Sequence, residues 1–116
     1  MDKIELLVNT ISPSPIIPGR MALILAIDYT MKGSMSDGLQ LSKDVYPLVA
    51  RELNCSVNAV QKRLHRAVCS CWQDGQNQDF NAIVGKQLCR RPSVKSFLMY
   101  CAYYVQNRAP FHTVSQ

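Results

Sequence analysis

The chain has 116 residues, a formal net charge of +5, 47% hydrophobic residues and 18% charged ones. That length supports one domain (residues 1–116) and excludes two, and the apolar content suffices for a single core. No run approaches the roughly 18–20 apolar residues of a membrane span, the acidic MDKIELL start lacks a cleavage site and is no signal peptide, and 8% aromatic residues argue against an exposed base-stacking platform.

In chain order, residues 2–10 read as a short amphipathic helix with Ile4, Leu7 and Val8 inward. Ser12-Pro13-Ser14-Pro15 and Pro18-Gly19 then break the chain, and Ile16 and Ile17 between them make this an ordered loop with buried side chains. Met21 to Met31 follow on a helix apolar over most of its circumference, hence central to the domain, and Gly33 ends it. After a polar loop over 34–41, Ser42 has the chemistry of an N-cap, with Lys43-Asp44-Val45 opening a helix that runs through Leu53. Pro47 suits a first helical turn, so this helix starts at Tyr46 or kinks there.

Asn54 tolerates the left-handed conformation that ends a helix. Cys55-Ser56 make a tight turn, Ser56 or Asn58 caps the next helix from about Val57 to Asp74, and Gly75 closes it. A short helix spans Gln78–Val84 and ends at Gly85. Residues 86–92 form a basic loop that stops at Pro92. Ser93 caps a last helix through about Gln106, with Val94, Phe97, Leu98, Cys101, Ala102 and Val105 on its apolar side. The tail over 109–116 is expected to fray.

Strand alternation is absent. The fold expected is therefore all-α: a compact bundle of about six helices containing a helix-turn-helix over about 43–74, of winged-helix-like type. Ala50 is the small residue where the two helices cross, with Val49 and Leu53 inward. Cys55 is the apolar plug of the turn, and Val60 anchors the second helix. Arg63 stands where an apolar residue is expected, and Leu64 takes that role one position later.

On the second helix Val57, Val60, Leu64, Val68 and Cys71 share one face, with Trp72 on the flank. The other face carries Asn58, Ala59, Lys62, His65, Arg66 and Cys69, flanked by Gln61 and Arg63. Asn and Gln suit adenine edges; Lys and Arg suit guanine edges or phosphate. A solvated amphipathic helix could carry the same charges, but no acidic residue stands between Asn54 and Gln73 to pair with them. Eight of the 13 Lys and Arg fall within residues 51–95, against Glu52, Asp74 and Asp79. The pattern points to a helix that reads double-stranded DNA from the major groove. Asn58, Gln61, Lys62, His65 and Arg66 are the base-contacting candidates; Lys43, Arg51, Ser56, Arg63, Lys86, Arg90 and Arg91 are the phosphate-contacting ones.

Five cysteines, Cys55, Cys69, Cys71, Cys89 and Cys101, are odd in number with no C-x-x-C spacing, so reduced thiols are expected in a cytoplasmic, nucleoid-associated protein. His65 and Cys69 share a helix edge but lack further ligands for a metal. No cofactor is expected. With two histidines, no glycine-rich phosphate loop and no nucleophile–base pair, an enzyme is not expected either. The competing reading is a protein-interaction module whose basic helix docks an acidic partner.

Residues Gly19 to Phe97 resemble the C-terminal effector domain of the sporulation-initiation response regulator, stage-zero sporulation protein A. The likeness begins at the Ile17-Pro18-Gly19 entry and is strongest over VYPLVARELNCSVNAVQKRLHRAVCSCWQDGQ. The resemblance implies a six-helix DNA-binding domain that acts on tandem operator boxes, with a homodimer on such sites. It implies DNA contacts at Asn58, Ala59, Gln61, Lys62, His65 and Arg66. The family has arginine where Ala59, Lys62 and His65 stand, glutamate where Gln61 stands and histidine where Arg66 stands, so its operator sequence does not carry over. It also implies an RNA polymerase contact on the 77–85 segment, through Asp79 and Phe80 if these are exposed; the plainer reading makes Phe80 and Ile83 core residues. The family's regulator carries an N-terminal receiver, for which this chain is expected to have no room.

Overall fold

The computed structural model describes residues 2–12, 17–33, 38–72 and 77–110. Six α-helices occur among them: α1 Lys3–Ile11, α2 Arg20–Lys32, α3 Tyr46–Leu53, α4 Val57–Cys71, α5 Gln78–Val84 and α6 Val94–Asn107. No strand, and so no β-wing, occurs among the described residues. The expected loop residues 13–16 and 34–37, the helix end at Asp74-Gly75 and the tail from Phe111 lie outside them.

The centre of the bundle is α2, which packs against α1, α3, α4 and α6. Its sequence explains why: Ala22, Leu23, Ile24, Ala26 and Ile27 are all buried. Buried Thr30 is satisfied within the helix, its hydroxyl donating to the Ala26 carbonyl at 2.7 Å. Asp2 caps α1, its carboxylate accepting from Ile4 N–H at 3.0 Å, and Ile4, Leu7, Val8 and Ile11 turn inward. Ile17, expected in the core, is there.

The lead-in to α3 departs from expectation. Ser42 does not cap a helix. Leu41–Val45 form a π-helical turn, with Tyr46 N–H donating to the Leu41 carbonyl, and α3 begins at Tyr46. The turn is entered through Asp44, whose carboxylate accepts from Gln40 N–H at 2.8 Å. Pro47 accounts for the change: it lacks the N–H that would bond the Lys43 carbonyl, and its ring crowds that carbonyl. A one-residue widening before the proline removes the conflict.

Phe80 joins the far end of the bundle. It is stacked on Phe97 of α6 at 4.3 Å between ring centroids and meets Trp72, the residue that ends α4, edge-on at 6.3 Å. The C-terminal end of α4 is thereby tied to α5 and α6.

Candidate nucleic-acid interface

The turn between α3 and α4 follows from three consecutive residues. Asn54 takes φ 54°, ψ 51°, the left-handed conformation its short amide tolerates. Cys55 N–H then donates back to the Ala50 carbonyl at 3.0 Å. Ser56 caps α4, its Oγ accepting from Ala59 N–H at 3.1 Å. Ala50 is buried where α3 meets α4, and Cys55 is half-buried against the core.

The inward stripe of α4 is Val60, Leu64, Ala67, Val68 and Cys71. Arg63 is exposed and Leu64 fully buried, as the displaced anchor required. Val57 departs from expectation: it lies on the core side of the helix by spacing, yet is 37% exposed. It is the first residue of α4, one turn before the fully buried Val60.

The opposite face is open. Asn58, Gln61, Lys62, His65 and Arg66 are all exposed, and at 3.6 residues per turn they span an arc of about 140°. Ala59 is half-buried. Arg63 folds back over the turn, its guanidinium donating to Cys55 Sγ at 3.6 Å.

What seats α4 is not marked in its own sequence. Gly19, with φ 75°, lies so close to the middle of α4 that a Cβ there would stand 2.1 Å from the Arg63 carbonyl oxygen. Only glycine allows both that conformation and that approach. The Ile-Pro-Gly entry is the one local signal of it, and its partner is 44 positions further along the chain.

Two further sets of exposed cations lie before and after α4 in the chain. Lys43 and Arg51 are exposed on the π-turn and the end of α3, which packs against α4. Lys86, Arg90 and Arg91 are exposed on the segment after α5. That segment is tied down at two points. Leu88 N–H donates to the buried Asn81 side chain at 3.1 Å, and Arg91 reaches Cys69 Sγ of α4 at 2.9 Å. Cys69 in turn lies 3.6 Å from His65 Nε2. Asn81 is another residue the sequence does not single out; one amide amid Phe80, Ile83 and Val84 is its only trace.

Asp79 is exposed but Phe80 is fully buried, so Phe80 offers no surface to a partner. Its aromatic contacts to Trp72, Phe97 and Tyr100 explain the burial and support the plainer reading of that residue.

The family model described as sporulation initiation factor Spo0A C terminal matches residues 4–105. The chain belongs to that family. Neither a curated protein nor a solved structure matches it. The Spo0A C-terminal family is one of DNA-binding effector domains in sporulation transcription control. Its match runs from α1 to α6 and so takes in the helix-turn-helix, the Gly19 seat and the basic segment.

Among the described residues no three His, Cys, Asp or Glu side chains gather to hold a metal, and no helix is long and apolar enough to cross a membrane. The five cysteines are free thiols. Burial pushes the Cys71 thiol up to about 11 and raises Cys101 as well, which keeps both protonated in the core.

Proposed function

We propose that the chain is a sequence-specific regulator of transcription that reads double-stranded DNA with α4 in the major groove. The observation that carries this reading is the exposed arc of Asn58, Gln61, Lys62, His65 and Arg66 on one face of a helix whose other face is buried. A 15-residue helix is about 22 Å long, and the major groove admits a single α-helix of that kind. Bidentate donors and amides on that arc suit base edges.

Lys43, Arg51, Ser56, Arg63, Lys86, Arg90 and Arg91 then grip phosphates on either side. Ser56 Oγ accepts the cap bond from Ala59 N–H, which leaves its hydroxyl hydrogen for a phosphate oxygen. Arg91, anchored beside His65 through Cys69, sets the basic segment along the end of the reading helix. Exposed Asp79 remains as a contact to RNA polymerase, and two copies on tandem boxes remain the arrangement the family suggests.

Selection of binding sites from a random duplex pool at about 150 mM salt tests this directly. A recurrent box bound by the full chain is the expected result. Binding that vanishes at that salt with no sequence enriched would refute DNA reading and favour docking of the basic helix on an acidic protein.

A further inference from the structure

A cavity of about 400 Å³ opens between α1, α5 and α6, and no residue of α4 lines it. That volume lies within the roughly 300–1,000 Å³ range of small-molecule sites. Leu6, Leu7, Ile83 and Val105 form its aliphatic walls. Leu6 is 52% exposed, one of few large apolar side chains so placed among the described residues. Leu6 stands at the rim of this concave site, with buried Leu7, Ile83 and Val105 behind it.

The polar groups at the cavity all point to one sign of ligand. Lys3 and Arg108 line it, together with Tyr104, and no carboxylate does. Thr10 adds nothing further, because its hydroxyl donates to the Leu6 carbonyl.

Arg108 is unusual in its own backbone. It ends α6 with φ 55°, ψ 36°, and among the described residues only Asn54 is another non-glycine residue at positive φ. Its N–H donates to the Tyr104 carbonyl at 2.8 Å, a helix-ending bond that glycine would make without steric cost. Asparagine suits this conformation and arginine does not. A strained residue whose side chain lines a cavity is a pointer to function.

We infer that this cavity binds a small amphiphilic carboxylate. Its apolar tail lies among Leu6, Leu7, Ile83 and Val105, and its head is held by Lys3 and Arg108 with the Tyr104 hydroxyl as a further donor. Charge-assisted hydrogen bonds from a guanidinium and an ammonium are the strong ones available to a carboxylate. The site is separate from the DNA-reading face, so its test does not depend on DNA.

Octanoate serves as the probe, with octylammonium as the comparator that keeps the tail and reverses the head. Amide resonances of the full chain are followed by two-dimensional NMR during titration. Octanoate should move the amides of Leu6, Leu7, Ile83 and Tyr104, and octylammonium should bind at least about tenfold more weakly.

Arg108→Gly supplies a separation of effects. It relieves the backbone strain, so the thermal midpoint should hold or rise, while octanoate affinity should fall about tenfold. Lys3→Gln should weaken binding in the same direction without touching the strained position. No response to millimolar octanoate, equal binding of octylammonium, or unchanged affinity in Arg108→Gly would overturn the inference. So would shifts at these amides that grow with protein concentration alone, which would assign the face to a second copy of the chain.

Discussion

Gly19→Ala tests whether one close backbone approach seats the reading helix. The new Cβ would lie 2.1 Å from the Arg63 carbonyl oxygen and 2.8 Å from its carbon. Both atoms belong to the backbone in the interior of α4, so no rotamer change removes the clash. Holding a residue with a Cβ at φ 75° adds about 1–2 kcal/mol, and forcing apart two packed backbones adds about 1–3 kcal/mol. The expected loss is about 2–5 kcal/mol, read from urea unfolding followed by circular dichroism. With a slope of about 1–3 kcal/mol/M, a 3 kcal/mol loss moves the midpoint by about 1–3 M.

Two companions divide the cost. Gly19→Asn tolerates the left-handed conformation but keeps the Cβ, so it should recover no more than about 1 kcal/mol. Gly33→Ala sits at φ −85°, with the end of the Leu39 side chain nearest at 3.1 Å, and should cost less than about 1 kcal/mol. An alanine at position 19 that costs under about 1 kcal/mol, or an asparagine there as stable as glycine, would refute the clash as the reason for this glycine.

The remaining predictions concern DNA and the core. Arg66→Ala and Lys62→Ala should each weaken binding to a selected duplex by about 1–3 kcal/mol and relax preference at the bases they face; unchanged anisotropy titrations for both would remove α4 from the groove. Arg90→Ala with Arg91→Ala should weaken binding to all sequences alike and lower the slope of log affinity against log salt by about 1 for each phosphate no longer gripped. Phe80→Ala should cost about 3–5 kcal/mol in unfolding free energy, because it removes a fully buried ring that meets Trp72, Phe97 and Tyr100. Asp79→Ala, one position earlier and exposed, should leave stability within about 0.5 kcal/mol.

Local chemistry in the sequence is enough for most of the architecture. The 3.6-residue spacing places Val60, Leu64 and Val68 inward and Lys62, His65 and Arg66 outward, because a helix face is set by its own residues. Ser56, Asn54, Gly85 and Ser93 mark helix ends through bonds that span only a few positions. Pro47 is legible as a start or a kink; the π-turn before it is not, since it depends on how the chain enters from Gln40.

What tertiary structure alone decided lies between distant residues. Spacing puts Val57 inward, but only the packing shows that it stays 37% exposed while Val60 of the same turn is fully buried. Phe80 is legible both as a surface contact and as core, and the ring of Phe97 decides it. The Gly19–Arg63 approach, the Leu88–Asn81 bond and the Arg91–Cys69 contact join segments whose sequences carry no mark of one another. The sequence by itself determined which face of α4 is basic and which is apolar, because that follows from periodicity. The seat of that helix, and the Arg91 brought against it, came from close packing of separate chain segments, where a single carbonyl or sulfur atom decides what fits.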